Sequence, residues 1–313
     1  MRNLYVLLVT VLLMCPLMSR AESPAPPIAG WPASGIQLSG KVVRYSSPTV
    51  AEIDGDPANG LEVTVGGADG RIYVYRADGS LLWERSAPSP RCSAVGVIDR
   101  LYASPAVGAL YGDGVPYVVA SYGGFRGGGC DGGIVVFRGS DGAKAFSFST
   151  KRFGKRMGFQ ERLHGVYSSP ALADTDGDGK LEIAFGSFDR NVYLLEHNGA
   201  VRWYYNAADT VFSSPTFADV NGDGRLEVLI GTDITANARL RPPTKNGGYI
   251  YALKSEPRSS KRIRFRDSTA YLWQRFLPQV VFSSPVVAEV MSASPGLEVV
   301  IGSGCFFPER STA

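Results

Sequence analysis

The sequence predicts an all-β protein, a β-propeller built from four-stranded antiparallel blades. A Ser-Ser-Pro or Ala-Ser-Pro tripeptide recurs five times, starting at Ser46, Ala103, Ser168, Ser213 and Ser283. Short segments of alternating apolar and polar residues follow each tripeptide, separated by Asp-Gly or Asn-Gly turns. Repeats of about 40–50 residues with four strands each are typical of propeller blades, which bury their faces by stacking around an axis. No convincing amphipathic helix is found.

Each repeat shows the same order of segments. A short apolar run follows the proline, and an acidic loop leads into a second strand that ends in glycine, such as LEIAFG from Leu181. The third strand alternates strongly, as in NVYLLEHNG from Asn191. The fourth strand holds an aromatic residue at the equivalent place in four repeats, namely Trp83, Phe146, Trp203 or Trp273. This recurrence indicates packing between blades rather than a ligand cage.

The fifth repeat ends after its second strand, at GSGCFFPERSTA, without a third strand or a tryptophan strand. Gly30-Trp31-Pro32, ahead of the first repeat, is typical of the last strand of a blade whose other strands come from elsewhere. We therefore expect an incomplete propeller over residues 31–313, with four full blades, half of a fifth and an N-terminal closing strand. A fragment or a premature stop explains this organisation, and a compact five-bladed ring is the alternative.

The first 21 residues have the features of an export signal. Arg2 precedes an apolar run from Leu4 to Met14, and Ser19 and Ala21 place small residues before a cleavage site. The run is shorter than the ~20 residues of a membrane span. We expect residues 1–21 to be a cleaved signal peptide and residues 22–30 a Pro-rich lead-in. The mature protein is then periplasmic, secreted or on the cell surface.

Export would place the cysteines in an oxidising compartment. Cys92 and Cys130 fall within one repeat and are the favoured disulfide, whereas Cys305 has no evident partner. Lipid attachment at Cys15 is the alternative to signal cleavage. The preceding Met14 is too bulky for a good lipoprotein site.

Two acidic loops between first and second strands predict calcium sites. The third loop, Asp174–Glu182, and the fourth loop, Asp219–Glu227, place oxygen donors at positions 1, 3, 5 and 9 and a backbone carbonyl at position 7. The donors are Asp174, Asp176, Asp178, Lys180 (carbonyl) and Glu182, and Asp219, Asn221, Asp223, Arg225 (carbonyl) and Glu227. Calcium takes six to eight oxygens, and without a cation the carboxylates would repel one another. An Asp/Gly-rich turn without metal is the alternative.

An EF-hand would need an acid at position 12, between two helices. Phe185 and Ile230 stand there, each inside a predicted strand. The loops are therefore expected to be calcium loops within β-hairpins.

The first loop, Glu52–Glu62, is two residues longer and a weaker candidate, with Glu52, Asp54, Asp56 and Glu62 as donors. The second repeat retains only Asp113 in its loop, and the fifth has Glu289 followed by VMSASPGLE. We expect two calcium sites in the third and fourth loops, a weaker third in the first loop, and none in the second and fifth repeats.

The segment SSPALADTDGDGKLEIAFGSFDRNVYLLEHNG, from Ser168, resembles the FG-GAP repeat. This repeat is the blade unit of integrin alpha-subunit propellers and of many exported bacterial proteins. The resemblance covers about residues 31–304, is most specific in the third and fourth repeats, and implies calcium held by the loop residues given above. The endings of the repeats, such as YVYRADGSLLW, are also similar to those of quinoprotein-type propellers. Neither resemblance implies one activity, because the propeller supports many functions.

The net charge and the number of histidines argue against two classes of function. The formal net charge is only +3, so nucleic-acid binding by bulk charge is not expected. His164 and His197 are the only histidines, which weakens the case for histidine-based catalysis. We expect a non-catalytic, calcium-stabilised propeller for adhesion to, or recognition of, an extracellular protein or polysaccharide. The alternative is an exported enzyme on the same scaffold, either a calcium-dependent polysaccharide lyase using Lys155 or Arg264, or a quinone-dependent dehydrogenase.

Overall fold

The computed structural model describes residues 43, 46–88, 101, 103–124, 130–160, 163–256, 261–291 and 296–304. These residues form five sheets, one for each repeat. In the first four sheets, consecutive strands pair antiparallel in chain order. The predicted all-β propeller of four-stranded antiparallel blades is confirmed.

The strand boundaries follow the repeats. The first blade contains β1 (Thr49–Ala51), β2 (Glu62–Gly66), β3 (Arg71–Tyr75) and β4 (Leu81–Ser86). The second contains β5 (Ala106–Gly108), β6 (Tyr117–Tyr122), β7 (Gly133–Arg138) and β8 (Lys144–Ser149). The third contains β9 (Ala171–Ala173), β10 (Glu182–Gly186), β11 (Asn191–Leu195) and β12 (Val201–Asn206). The fourth contains β13 (Thr216–Ala218), β14 (Glu227–Gly231), β15 (Gly248–Lys254) and β17 (Tyr271–Leu277), and the fifth β18 (Val286–Ala288) and β19 (Glu298–Val300).

One short strand departs from this plan. β16 (Arg262–Ile263) belongs to the connection between β15 and β17, yet it pairs in parallel with the outer strand β12 of the third blade. The backbone N–H of Tyr204 donates to the carbonyl of Lys261 at 2.9 Å. The connection thereby joins the fourth blade to the outer edge of the third.

The first strands of the blades lie side by side at the centre. β1 contacts β5, β5 contacts β9, β9 contacts β13, and β13 contacts β18. Within the described residues the sheets do not close into a ring.

Alternation along the middle strands supplies a core on each side of a blade. In β11, the fully buried Val192 and Leu194 pack with β14 and β15 of the fourth blade. The intervening Tyr193 and Leu195, also fully buried, pack with β6 and β7 of the second blade. Because side chains alternate between the two faces of a strand, one apolar strand fills two interfaces.

A chain of serine hydrogen bonds joins neighbouring blades near the centre. The backbone N–H of Ser47 donates to Ser104 Oγ at 2.9 Å, and that of Ser104 donates to Ser169 Oγ at 2.9 Å. The N–H of Ser169 donates to Ser214 Oγ at 2.8 Å. In the first four blades, the second serine of one tripeptide thus donates its N–H to the second serine of the next, and we call this series the serine relay.

In four of the tripeptides, the first residue is a serine that binds the second strand of its own blade. Its hydroxyl accepts the backbone N–H of a glycine at or just after the end of that strand; the pairs are Ser46 with Gly66, Ser168 with Gly186, Ser213 with Gly231, and Ser283 with Gly302. The glycine is required by close approach, since a Cβ at Gly186 would lie 2.3 Å from Val211 Cγ1. The tripeptide therefore ties the first strand both to the second strand and to the next blade.

The fourth-strand tryptophans reach the following blade, as the sequence predicts. Trp203 is 2% exposed, and its Nε1 donates to the carbonyl of Ser255 at 2.8 Å. Trp83 is similarly buried and donates to the carbonyl of Gly139 at 2.5 Å. Both are packing residues between blades.

The expectation of no amphipathic helix is wrong between the second and third blades. Thr150–Met157 forms the helix α1. Ser149 Oγ accepts the N–H of Arg152 at 3.0 Å and caps its start, and Gly158 ends it with φ 74. The buried Phe153 packs on the rings of Phe148, Tyr193 and Tyr204.

Several predictions fall outside the described residues. These are the signal peptide, the lead-in, the closing strand at Gly30-Trp31-Pro32, and Cys92 and Cys305. Cys130 is disulfide-bonded, and its predicted partner Cys92 lies among the residues that the structure does not describe. In the described part, no helix is both long enough and apolar enough to cross a bilayer.

A serine-to-alanine change tests the serine relay. Ser169→Ala leaves the N–H of Ser104 without its acceptor, and an unsatisfied donor of this kind costs about 1–3 kcal/mol. We expect the free energy of unfolding, measured by urea denaturation, to fall by about 1–2 kcal/mol. Ser80→Ala, in an exposed turn, is the control and should change it by less than about 0.5 kcal/mol. Equal effects of the two changes would contradict a role for the relay.

Asp189 is a fully buried carboxyl in the turn between β10 and β11. It accepts hydrogen bonds from the hydroxyl of Tyr193 at 2.5 Å and from the N–H of Asn191 at 3.3 Å. Burial raises the pKa of Asp189 to about 7, against the effect of these hydrogen bonds. In the first blade, the half-buried Asp69 accepts the equivalent bond from Tyr73 at 2.6 Å.

This buried carboxyl makes stability depend on pH. Between the pKa of Asp189 in the unfolded chain, near 3.8, and its folded value of about 7, the folded state binds more protons. Stability therefore falls as pH rises through this window, by up to about 1.4 kcal/mol per pH unit. The free energy of unfolding, measured by urea denaturation from pH 4.5 to 8, should decrease less steeply with pH in Asp189→Asn than in the unaltered protein. Asp69→Asn alters the equivalent hydrogen bond to a tyrosine and serves as the control. An unchanged pH dependence in Asp189→Asn would refute the assignment of this dependence to Asp189.

Candidate metal centre

The acidic loops occupy one face of the propeller. The first loop joins β1 to β2, the third joins β9 to β10, and the fourth joins β13 to β14. Because these connections are equivalent in every blade, the loops lie at the same end of their sheets. In the third loop, Gly177 and Gly179 have φ values of 80 and 81, a left-handed backbone that other residues rarely adopt.

The glutamate that ends each loop forms a hydrogen bond to the start of the same loop and so closes it. Its Oε2 accepts the N–H of the residue that follows the first acid; the pairs are Glu62 with Ile53 (2.8 Å), Glu182 with Thr175 (2.8 Å), Glu227 with Val220 (3.2 Å) and Glu298 with Val290 (2.8 Å). The fifth blade makes this bond although its loop has lost the other predicted ligands. The glutamate therefore has a structural role that does not depend on metal.

The first acid of each loop shapes the turn. Asp174 accepts the N–H groups of Gly177 (2.7 Å) and Gly179 (2.9 Å). Asp219 binds Gly222 and Gly224 in the same way, at 2.7 and 2.8 Å. These backbone donors lower the pKa of Asp219 and outweigh its partial desolvation.

The first loop gathers the carboxyl groups of Glu52, Asp54 and Glu62, with one oxygen of each within 4.8 Å of the others. Two oxygens bound to one calcium ion at about 2.4 Å lie at most about 4.8 Å apart, so the set has suitable dimensions. Glu62 is 0% exposed. Neither Glu62 Oε1 nor Glu52 Oε2 has a hydrogen-bond partner.

Within the described residues, no basic side chain forms an ion pair with these three acids. Buried carboxylate oxygens without donors are costly unless a cation or water compensates them. The first loop, the weakest of the three candidates in the sequence, therefore has the clearest need of a cation.

The third loop gathers Asp174, Asp176 and Glu182 within the same 4.8 Å. Here a base lies among the acids, because the guanidinium of Arg202 on β12 binds Asp176 Oδ2 at 2.5 Å. The same NH2 group is 3.7 Å from Glu182 Oε1, which is an ion-pair distance but too long for a hydrogen bond. Burial raises the pKa of Glu182, against the Thr175 hydrogen bonds and the charge of Arg202.

The fourth loop does not bring three carboxylates within that distance. Its second donor is the amide of Asn221, which donates to Asp223 Oδ2 at 3.0 Å. Burial raises the pKa of Glu227 to about 7; the N–H of Val220 opposes this, and the charges of Asp223 and Asp219 add to it. A nearby cation would favour the ionised form of this carboxyl.

Asp56 and Asp178 are not among the carboxylates that lie within 4.8 Å of one another in the first and third loops. The middle acid of each loop accepts the N–H of the residue two positions ahead; the pairs are Asp56 with Ala58 (3.2 Å), Asp178 with Lys180 (2.8 Å) and Asp223 with Arg225 (2.9 Å). The structure therefore does not bring Asp56 or Asp178 together with the other predicted ligands. Coordination by the carbonyls of Lys180 and Arg225 stays a prediction.

Arg202 was missed by sequence reasoning. The residue before the tryptophan is Leu82 in the first blade and Leu272 in the fourth, whereas the third blade has Arg202. An arginine at a place where the first and fourth repeats have leucine was the available signal.

The FG-GAP-like repeat model matches residues 174–230, the segment that contains the third and fourth loops. The matched segment includes parts of the third and fourth blades. No curated protein sequence matches the chain.

Among solved structures, the chain resembles the rhamnogalacturonan lyase YesW, with 19% identity and a TM-score of 0.54 over 83% of this chain and 44% of that one. A Bacillus licheniformis rhamnogalacturonan lyase shares 15% identity over 88% of this chain and 57% of its own, with a TM-score of 0.45. BamB from Moraxella catarrhalis shares 12% over 72% and 48%, with a TM-score of 0.40. The chain spans about half the length of these proteins, and at such identities the likeness shows the fold alone.

The loop-closing role of Glu62 leads to a test without metal. In chelator, Glu62→Leu removes the acceptor of the Ile53 N–H, so the free energy of unfolding should fall by about 1–3 kcal/mol. Glu62→Gln retains an oxygen acceptor and removes a buried charge, so its loss should be smaller. Urea denaturation measures both, and equal losses would contradict loop closure by the carboxylate oxygen.

Proposed function

We propose that the protein is an exported, calcium-binding β-propeller that acts as a non-catalytic scaffold for adhesion or recognition. The observation that carries calcium binding is the first loop, where three carboxylates converge and a buried oxygen of Glu62 has no partner. The donors are all oxygens, which suit a hard cation such as calcium. The family-model match over the third and fourth loops supports the same class of protein.

The residues of the first loop have separable roles in this proposal. Glu62 closes the loop through the N–H of Ile53, and Glu52 Oε1 accepts the N–H of Gly55 at 2.8 Å. These bonds leave Glu62 Oε1 and Glu52 Oε2 for a cation. Calcium would supply the positive charge that the loop lacks, and would thereby stiffen this face of the propeller.

We propose an extracellular protein or polysaccharide as the partner. An acidic polysaccharide is supported by α1, on which Arg152, Lys155 and Arg156 are exposed. α1 leads from the outer strand of one blade to the inner strand of the next, so it lies on the face opposite the acidic loops. The polysaccharide and calcium would then bind to opposite faces of the propeller.

Calcium should raise the melting temperature of the purified protein. For a loop with a Kd of about 10⁻⁴ M, about 10 mM calcium adds about 2.7 kcal/mol per site, or about 5–10 °C. Differential scanning calorimetry in calcium, magnesium and chelator measures the effect. Glu62→Gln should remove the part of this rise in melting temperature that comes from calcium in the first loop. An equally large rise in that variant would contradict a calcium site in the first loop.

A lyase remains the competing proposal, since the YesW lyase shares the fold. Incubation with rhamnogalacturonan distinguishes the two. A scaffold leaves the polymer intact and is retained on it when the polymer is immobilised. Calcium-dependent formation of unsaturated sugar ends, followed by ultraviolet absorbance, would instead establish a lyase.

A further inference from the structure

Arg202 is held in the third loop from several directions. Its Nε donates to Glu196 Oε1 at 2.8 Å, and its NH1 donates to Thr175 Oγ1 at 3.1 Å. Its NH2 binds Asp176 Oδ2 at 2.5 Å. The side chain is only 17% exposed, and Glu182, 3.7 Å away, is 1% exposed. The guanidinium therefore sits against the same carboxylates that converge in this loop.

Three residues of the third blade differ together from their equivalents. The strand registers pair Trp203 with Leu194, Trp83 with Val74 and Trp273 with Ala252, and so align the blades. Where the third blade has Thr175, Glu196 and Arg202, the first has Ile53, Arg76 and Leu82, and the fourth has Val220, Lys254 and Leu272.

Each of the three differences serves the same contact. Glu196 is an acid at a place where the first and fourth blades have a base, and it accepts two hydrogen bonds from the guanidinium, at 2.8 and 3.1 Å. Thr175 Oγ1 accepts from Arg202 and donates to Glu182 Oε2 at 2.6 Å, so it links the arginine to the loop-closing glutamate. A chance surface ion pair would not need a coordinated change of the residue inside the loop.

We propose that Arg202 is a tethered cation that takes the place of calcium in the third loop, so that this loop keeps its shape without metal. The inference rests on the proposed function in that calcium is the cation proposed for the first loop. A calcium ion bound to Asp176 and Glu182 would lie within a few ångströms of the guanidinium, where like charges repel strongly. Arg202 and calcium therefore exclude each other, and the third loop binds no calcium while Arg202 is in place.

Replacing Arg202 by the leucine of the first and fourth blades tests this directly. Without calcium, Arg202→Leu should lower the melting temperature by about 5 °C or more, because it leaves Glu182 buried without a countercharge. Isothermal titration calorimetry should then show one more calcium ion per chain than in the unaltered protein, with recovery of the melting temperature. The double change Arg202→Leu with Asp176→Asn should lose that additional ion.

The single change Asp176→Asn keeps the test decisive if Arg202→Leu does not fold. It should leave the number of bound calcium ions unchanged, whereas Glu62→Gln should lower it by one. A decrease of one ion in Asp176→Asn, or a stable Arg202→Leu without additional binding, would overturn the proposal. If the unaltered protein binds no calcium but Arg202→Leu gains one ion, the proposed function fails while the role of Arg202 stands.

Discussion

The hydrogen bonds of the Ser-Ser-Pro tripeptides are the constraint on which the rest of this structure depends. A four-stranded blade has two apolar faces and cannot bury either by itself. The serine relay, from Ser47 through Ser104 and Ser169 to Ser214, joins the innermost strands of the first four blades through hydrogen bonds of 2.8–2.9 Å. The alternating side chains of the middle strands then face each other across the blades. The relay also sets the equivalent position of the acidic loops, since each loop begins a few residues after its proline.

The acidic loops differ in how the charge of the loop-closing glutamate is compensated. Closing the loop buries a glutamate, and its charge then needs compensation. The first loop leaves two oxygens of Glu52 and Glu62 without partners, which is the arrangement expected around a metal ion. The third loop compensates its glutamate with Arg202, supported by Thr175 and Glu196. In the described part of the fifth loop, Glu298 accepts the N–H groups of Val290 and Met291. Loops of one repeated sequence pattern thus compensate their glutamates differently.

The sequence was sufficient for the fold and for the position of the loops, because both depend on local patterns. Alternation, turn residues and the recurring tripeptide act over a few residues, and so does the spacing of oxygen donors. Three features depended on tertiary contacts. The helix α1 has one buried aromatic residue, Phe153, whose pocket comes from two blades. β16 pairs with a strand about sixty residues earlier. Arg202 meets Asp176 only because β12 lies beside the loop, 26 residues away in the chain.

A crystal structure of the protein grown with calcium tests the central claim most directly, by anomalous scattering from the bound ions. An anomalous peak is expected among Glu52, Asp54 and Glu62, with the oxygens of Glu62 and Glu52 as ligands. No peak is expected between Asp176 and Glu182, where the guanidinium of Arg202 should remain. A peak in the third loop with Arg202 displaced, or no peak in the first loop at saturating calcium, would contradict these assignments.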